Sequence, residues 1–250
     1  MMRTQATQLL LIYLKEPMAG QVKTRLARDI GETKACLYYE VLVKVLLEQL
    51  EGIKDTDVCI CFTPDEAHES VPFWILPQLR GRVTKEAQGY LFEPEKNAPD
   101  IFMTFSPQGE GDLGQRLFRG FEQGFQRGYG KVMAIGSDCP DCGARWIQAA
   151  FGLLKNHKSA VIGPSFDGGY YLLALSELEP EVFKNITWSS ALVFEETQDR
   201  LKQSGYELTV LPSLGDVDTH QDWQVLMEGA LGGKLKKALK QKQKNYPFSI

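Results

Sequence analysis

No apolar run in this sequence exceeds six residues, the length of Leu9–Leu14. A bilayer-spanning helix needs roughly 20 such residues, so none is expected. Met1–Gln8 is polar and no small-residue cleavage site follows, so a secretory leader is not expected either. Histidine is scarce: His68, His157 and His220 stand far apart and form no H-x-x-x-H pattern. The five cysteines are odd in number and irregularly spaced, which argues against a disulfide framework and for a reducing cytoplasm. Neither charge sign dominates. Against 28 basic residues stand 32 acidic ones, a net charge of −4, which removes any bulk drive toward nucleic acid.

What remains is an ordinary globular composition. Of 250 residues, 43% are apolar and 24% charged, which excludes intrinsic disorder and collagen-like structure. The length is ample for one large domain with a buried core. Short β-like runs at Leu9–Leu14, Val58–Phe62, Ile101–Phe105, Val132–Ile135, Ala160–Gly163, Tyr170–Leu175 and Leu208–Leu211 alternate with helical periodicity. The helical stretches are about Thr33–Leu50, Leu113–Phe125, Trp146–Leu154, Leu192–Leu201 and Trp223–Leu231. Such alternation predicts an α/β domain: a mostly parallel sheet with helices on both faces, over residues 1–231. Gly232–Lys244 carries six lysines and is read as the start of a solvated helix or tail, 232–250. Ligands of open α/β sheets bind beyond the carboxyl ends of the strands, so the loops there hold the interest.

The first loop, Lys15–Leu26, places Lys15, Lys23 and Arg25 around a Pro/Gly turn that opens a helix. Fixed positive charge beside a small residue suits a phosphate chain. The pattern is neither a Walker A loop nor G-x-G-x-x-G. The second loop, Ser106–Gly114, has three glycines. Gln108 and Gly109 are candidates for the edge of a nucleobase, because an amide both donates and accepts. Asp112 is read as the cap of the next helix.

In the third loop, Gly136–Cys142, Asp138 follows a strand directly. Mg2+ is typically held by one or two carboxylates plus substrate phosphates, and Asp138 fits that role. Cys139 and Cys142 offer a rival thiol reading, but zinc normally takes four ligands and no second C-x-x-C exists. The fourth feature joins Asp167-Gly168-Gly169-Tyr170, a strong turn signal, with Asp216-Val217-Asp218-Thr219 ahead of a helix. Asp138 and Asp218, both at strand-to-helix junctions, can clamp one cation between them. Without a positive partner they would repel.

These blocks, in this order, resemble the selenodomain-associated glycosyltransferase family, formerly a domain of unknown function. The Lys15–Leu26 loop is similar to its K-x-P-x-x-G-x-V-K-T-R-L signature. The likeness continues through 108–114, 136–140, 167–171, Trp188-Ser189 and 216–219, covering about residues 8–225. Cys142 departs from the pattern, which weakens any role for positions 141 and 142. The resemblance implies a nucleotide-diphospho-sugar transferase (GT-A) fold, a three-layer α/β/α arrangement with an open, mixed, mostly parallel sheet of about seven strands. It implies a nucleotide held by Lys15, Pro17, Gly20, Lys23, Thr24, Arg25, Gln108 and Gly109. It also implies Mg2+ or Mn2+ at Asp138 and Asp218, with Lys23 and Asp138 catalytic. Asp167, Gly168, Gly169 and Tyr170 would contact the small-molecule acceptor.

Three readings stay open at this point. The first is glycosyl transfer from a nucleotide sugar. The second is nucleotidyl transfer from a triphosphate, as in the similar guanylyltransferases. The third is a nucleotide-binding regulatory domain without turnover. The first is preferred.

Overall fold

The apolar run near the N-terminus forms the centre of a sheet. Strand β1 (Gln8–Lys15) lies between β2 (Thr56–Thr63) and β6 (Lys131–Gly136) and is parallel to both. Successive strand side chains point to opposite faces. Leu10, Ile12 and Leu14 therefore enter one apolar cluster, and Leu9 and Leu11 another. A strand covered on both sides has to be apolar throughout, which accounts for the unbroken run.

The computed structural model describes residues 6–95 and 98–245. Within them, β5 (Ile101–Pro107) pairs parallel with β2, and a hairpin of β3 (Gly81–Glu86) and β4 (Gly89–Pro94) completes that edge. On the other side come β8 (Tyr170–Leu175), β7 (Ser159–Pro164) and β9 (Glu207–Val210). The order is β3-β4-β5-β2-β1-β6-β8-β7-β9, with β4 and β8 running against the rest. The sheet is thus mixed and mostly parallel, with nine strands among the described residues where about seven are expected. The surplus is the β3–β4 hairpin. Its first strand, Gly-Arg-Val-Thr-Lys-Glu, is largely exposed and buries too little to leave an apolar signature.

Helices cover both faces. On one side, α2 (Glu32–Gln49), α3 (Ser70–Ile75) and α5 (Ala144–Leu153) contribute Val43, Leu46, Val71, Ile75, Ile147 and Phe151 to the first cluster. On the other, α4 (Leu113–Gln126) and α6 (Val193–Gln203) contribute Leu117, Phe121 and Leu201 to the second. The outer face of α2 is buried too. Val41, Leu42 and Val45 pack against Trp223 and Leu226 of α7 (His220–Glu228) and against Leu235 and Ala238 of α8 (Gly232–Asn245). The lysine-rich segment is therefore a helix seated on α2, with Lys242 paired to Glu40. The end of the expected tail, 246–250, lies outside the described residues. Among the described residues no helix is long and apolar enough to cross a membrane.

This topology gathers the loops. The parallel strands β1, β2, β5 and β6 end on one rim, at Lys15, Thr63, Pro107 and Gly136. The β7–β8 turn opens on the same rim. The chain after β9 returns to it through a bridge between Ser165 and Leu214.

Candidate active site

The first loop is short and tightly bonded. Glu16 N–H donates to the Thr63 carbonyl at 2.8 Å and Gln21 N–H to that of Met18 at 3.0 Å. Gly20 has φ 81°, and a Cβ there would stand 3.1 Å from a Glu32 carboxylate oxygen. Buried Val22 and Leu26 anchor the loop on either side of Lys23. Lys23 precedes helix α1 (Thr24–Ile30) with φ 49° and ψ 46°. A non-glycine residue in the left-handed region costs roughly 1–3 kcal/mol, and such strain concentrates at functional sites.

That backbone conformation accompanies an unusual placement of the side chain, which is only 3% exposed. Its Nζ lies 2.7 Å from Asp138 Oδ1 and 3.3 Å from Asp218 Oδ1. Arg25, largely exposed, places Nη1 3.4 Å from Asp218 Oδ2. Three residues singled out by sequence, from three separate stretches, thus meet at one ammonium group.

The carboxylates are held by backbone. Ser137 N–H donates to the Tyr13 carbonyl at 3.1 Å, fixing the start of the Asp138 loop against β1. Val217 N–H donates to the Asp138 carbonyl, also at 3.1 Å, tying the second aspartate segment to the first. Asp218 sits just ahead of a capping box. Thr219 Oγ1 accepts from Asp222 N–H at 3.2 Å, and Asp222 Oδ2 accepts from Thr219 N–H at 2.7 Å.

Two further carboxylates face this cluster. Burial, followed by the charges of Asp138 and Asp167, pushes the Asp216 carboxyl up to about 7 against the pull of Lys23. Asp216 is not among the expected site residues, although its spacing from Asp218 in an extended segment puts both on one side. Burial raises Asp167, but its hydrogen bonds outweigh that and leave it below its ordinary value. It accepts from Ser165 Oγ at 2.6 Å and Gly169 N–H at 3.0 Å. Gly168 has φ 90° and lies so close to Ala191 that a Cβ would stand 2.2 Å from its carbonyl oxygen.

Other expected residues are placed differently. Gln108, expected at the edge of a nucleobase, is seated as a brace between strands. It is buried, and its amide NH2 donates to the carbonyls of Leu14 at 3.0 Å and Cys61 at 2.9 Å. Gly109 N–H is taken by Asp65 Oδ1 at 3.0 Å. Arg116 and Arg119 hold the rest of that loop through the carbonyls of Gly111 and Gln108, both at 3.0 Å. Asp112 caps α4 in a reciprocal pair with Gln115.

Tyr170 is also turned inward. Its hydroxyl is buried in the second apolar cluster and does not face an acceptor. Alternation from Leu172 and Ala174 would turn it to the first cluster, but the strand register shifts between Gly163 and Pro164, where pairing steps from Leu172 to Tyr170, and the ring packs into the second cluster instead. Lys15 is exposed at the end of β1, where its backbone exchanges hydrogen bonds with the Tyr39 hydroxyl at 2.9 and 3.0 Å. Pro17 is half-buried and Thr24 exposed. Cys139 and Cys142 are free thiols in the first apolar cluster, and burial pushes both well above the usual thiol range. Among the described residues no group of three or more His, Cys, Asp or Glu side chains is arranged to hold a metal ion.

A family model described as an uncharacterized protein conserved in bacteria, DUF2064, matches residues 46–190. A crystal structure from Desulfovibrio desulfuricans, of a protein named for a proposed nucleotide-diphospho-sugar transferase activity, is 30% identical. It covers 96% of this chain and 96% of its own, with a TM-score of 0.78. A cytidylyltransferase from Leptospira borgpetersenii shares 12% identity over 98% of this chain and 99% of its own, with a TM-score of 0.52. A 4-diphosphocytidyl-2C-methyl-D-erythritol synthase from Anaerococcus prevotii shares 9% over 89% and 97%, with a TM-score of 0.51. No curated protein matches the chain. The fold is that of the nucleotide-diphospho-sugar transferases.

Proposed function

The chain belongs to the bacterial DUF2064 family, and from that premise we propose that it is a metal-dependent transferase. It would take a nucleotide-diphospho-sugar and pass the glycosyl group to a small-molecule acceptor. The observation that carries this reading is Lys23 Nζ, shielded from solvent and within 3.3 Å of both Asp138 and Asp218 at the sheet rim.

A charge argument supports a cation there. Asp138, Asp167, Asp216 and Asp218 face two cationic side chains, Lys23 and Arg25. The balance is negative, which repels a diphosphate. The side chains of Asp138 and Asp218 are 48% and 37% exposed, so both retain access from the solvent side. Two carboxylates with phosphate oxygens are an ordinary Mg2+ or Mn2+ environment, so Asp138 and Asp218 fit that role. Bound there, the ion would supply positive charge to the diphosphate.

When the anomeric bond breaks, negative charge grows on the leaving diphosphate. Lys23 and Arg25 would stand on the protein side of that charge, and preorganised cations are the main catalytic device of such sites. Pro17, Gly20 and Thr24 form the loop that would wrap the phosphates, with Lys15 at its start. Asp167 and the Gly168–Gly169 turn would border the acceptor. Nucleotidyl transfer from a triphosphate is the second reading, favoured by the three cations of the first loop.

A thermal-shift panel of nucleotide sugars and nucleoside triphosphates, each with and without Mn2+, tests the proposal. Stabilisation by a nucleotide sugar that requires Mn2+ is expected. Selectivity for a triphosphate would move the assignment to nucleotidyl transfer. Equal binding without the ion would remove the metal role.

A further inference from the structure

Away from the aspartate rim, a groove runs between the first loop, α2, α3 and α8, with Pro17, Lys44, Phe73, Trp74, Gln78 and Gln241 among its lining. Gln78 is 8% exposed, and its Nε2 donates to the Trp74 carbonyl at 2.9 Å. Its Oε1 has no hydrogen-bond partner, nor has the Trp74 indole Nε1, and both atoms are buried. Folded proteins pair the large majority of such groups, so an unmatched donor and acceptor along one groove call for an explanation. Phe73, beside them, is 83% exposed.

Both lysines of the groove are paired, Lys242 with Glu40 and Lys44 with Glu48 at 3.0 Å, so an anion would find no unmatched cation there. Glu16 accepts from the Ser70 hydroxyl, which leaves its carboxylate hydrogen-bonded but not neutralised. What is left is one N–H, one carbonyl oxygen and an exposed aromatic ring. A hydroxyl group both donates and accepts, so it answers either atom. The C–H face of a sugar packs against a single aromatic ring, whereas a nucleobase is usually enclosed by more.

We propose that this groove binds an uncharged, hydroxyl-rich small molecule of monosaccharide size. The unpaired atoms are shielded, so binding requires the lip to open, and Phe73 has little packing to hold it in place. The groove shares only Glu16 and Pro17 with the first loop, so this site stands or falls independently of the transferase reading.

Saturation-transfer NMR on the full chain tests it, with D-glucose, D-galactose and D-mannose as probes and uridine as the control. Saturable transfer to at least one sugar is expected. Trp74→Phe, which keeps the ring but removes the N–H, and Gln78→Met should each weaken binding about tenfold. Phe73→Ala should weaken it several-fold, and at an exposed position this variant carries the test if the other two fail to fold. Asp138→Ala should leave it unchanged. No saturable signal from any sugar, unchanged affinity in Phe73→Ala, or binding of uridine alone would overturn the proposal.

Discussion

The backbone N–H of Val217 donates to the carbonyl of Asp138 at 3.1 Å. This bond joins the two aspartate segments without using either carboxylate. Asp138→Ala should therefore keep the fold, with stability within about 1–2 kcal/mol, since the lost ion pair is half-exposed on the aspartate side. Transferase turnover and Mn2+-dependent nucleotide binding should fall at least about a hundredfold. Parallel circular-dichroism melts and binding titrations check this. Global unfolding would instead make Asp138 structural.

Lys23 combines a left-handed backbone with a buried ammonium. Lys23→Ala and Lys23→Gly both lose the ammonium, but at φ 49° alanine keeps the backbone strain that glycine avoids. The glycine variant should be more stable than the alanine variant by about 1 kcal/mol in denaturant unfolding. Equal stability would show that the backbone strain is relieved elsewhere.

Arg25 is largely exposed and Lys23 is not. Salt screens exposed charges more than buried ones. Arg25→Ala should lower nucleotide affinity at low salt with the deficit shrinking at high salt, while the Lys23→Ala deficit persists. Titrations at two ionic strengths decide it, and identical salt slopes would contradict the placement.

Gln108→Leu removes two donors from the carbonyls of Leu14 and Cys61 and should destabilise the protein by about 1–3 kcal/mol. Affinity ranking across nucleotides of different base should stay the same. A changed base preference would restore Gln108 as a direct contact.

All five cysteines are buried and free. For Cys36, burial and then Glu40 push the thiol up to about 11. Raising the value shrinks the reactive thiolate fraction at every pH below it. Native protein at pH 8 should therefore resist alkylation, and labelling of Cys36 should rise as pH approaches 11. Denatured protein should label at all five. Rapid native labelling of Cys139 or Cys142 would revive the thiol reading.

Much of the architecture is legible in the residue order because burial leaves a periodic trace. Leu9–Leu14 is apolar without a break because it is covered on both faces, and α2 is apolar over most of its length, with Glu40 and Lys44 paired to other charged groups, because sheet and helices enclose it. The β3–β4 hairpin leaves no such trace, since backbone pairing at an exposed edge makes few demands on side chains. At the site, the chemistry of Lys23, Asp138 and Asp218 stands out in the sequence because fixed charge beside strand ends is rarely needed for packing. Gln108 and Tyr170 carry equally suggestive chemistry, yet their polar atoms point inward. Motif spacing does not say which way a side chain turns.

Taken by itself, the order of amino acids determines which segments must be hidden and which charged groups stand at the ends of strands, since both follow from local composition. Tertiary structure alone decides that one lysine is drawn between two aspartates distant in sequence, and that Asp216 joins them. Direction and distance across a sheet come from register and crossover, which are properties of the whole chain.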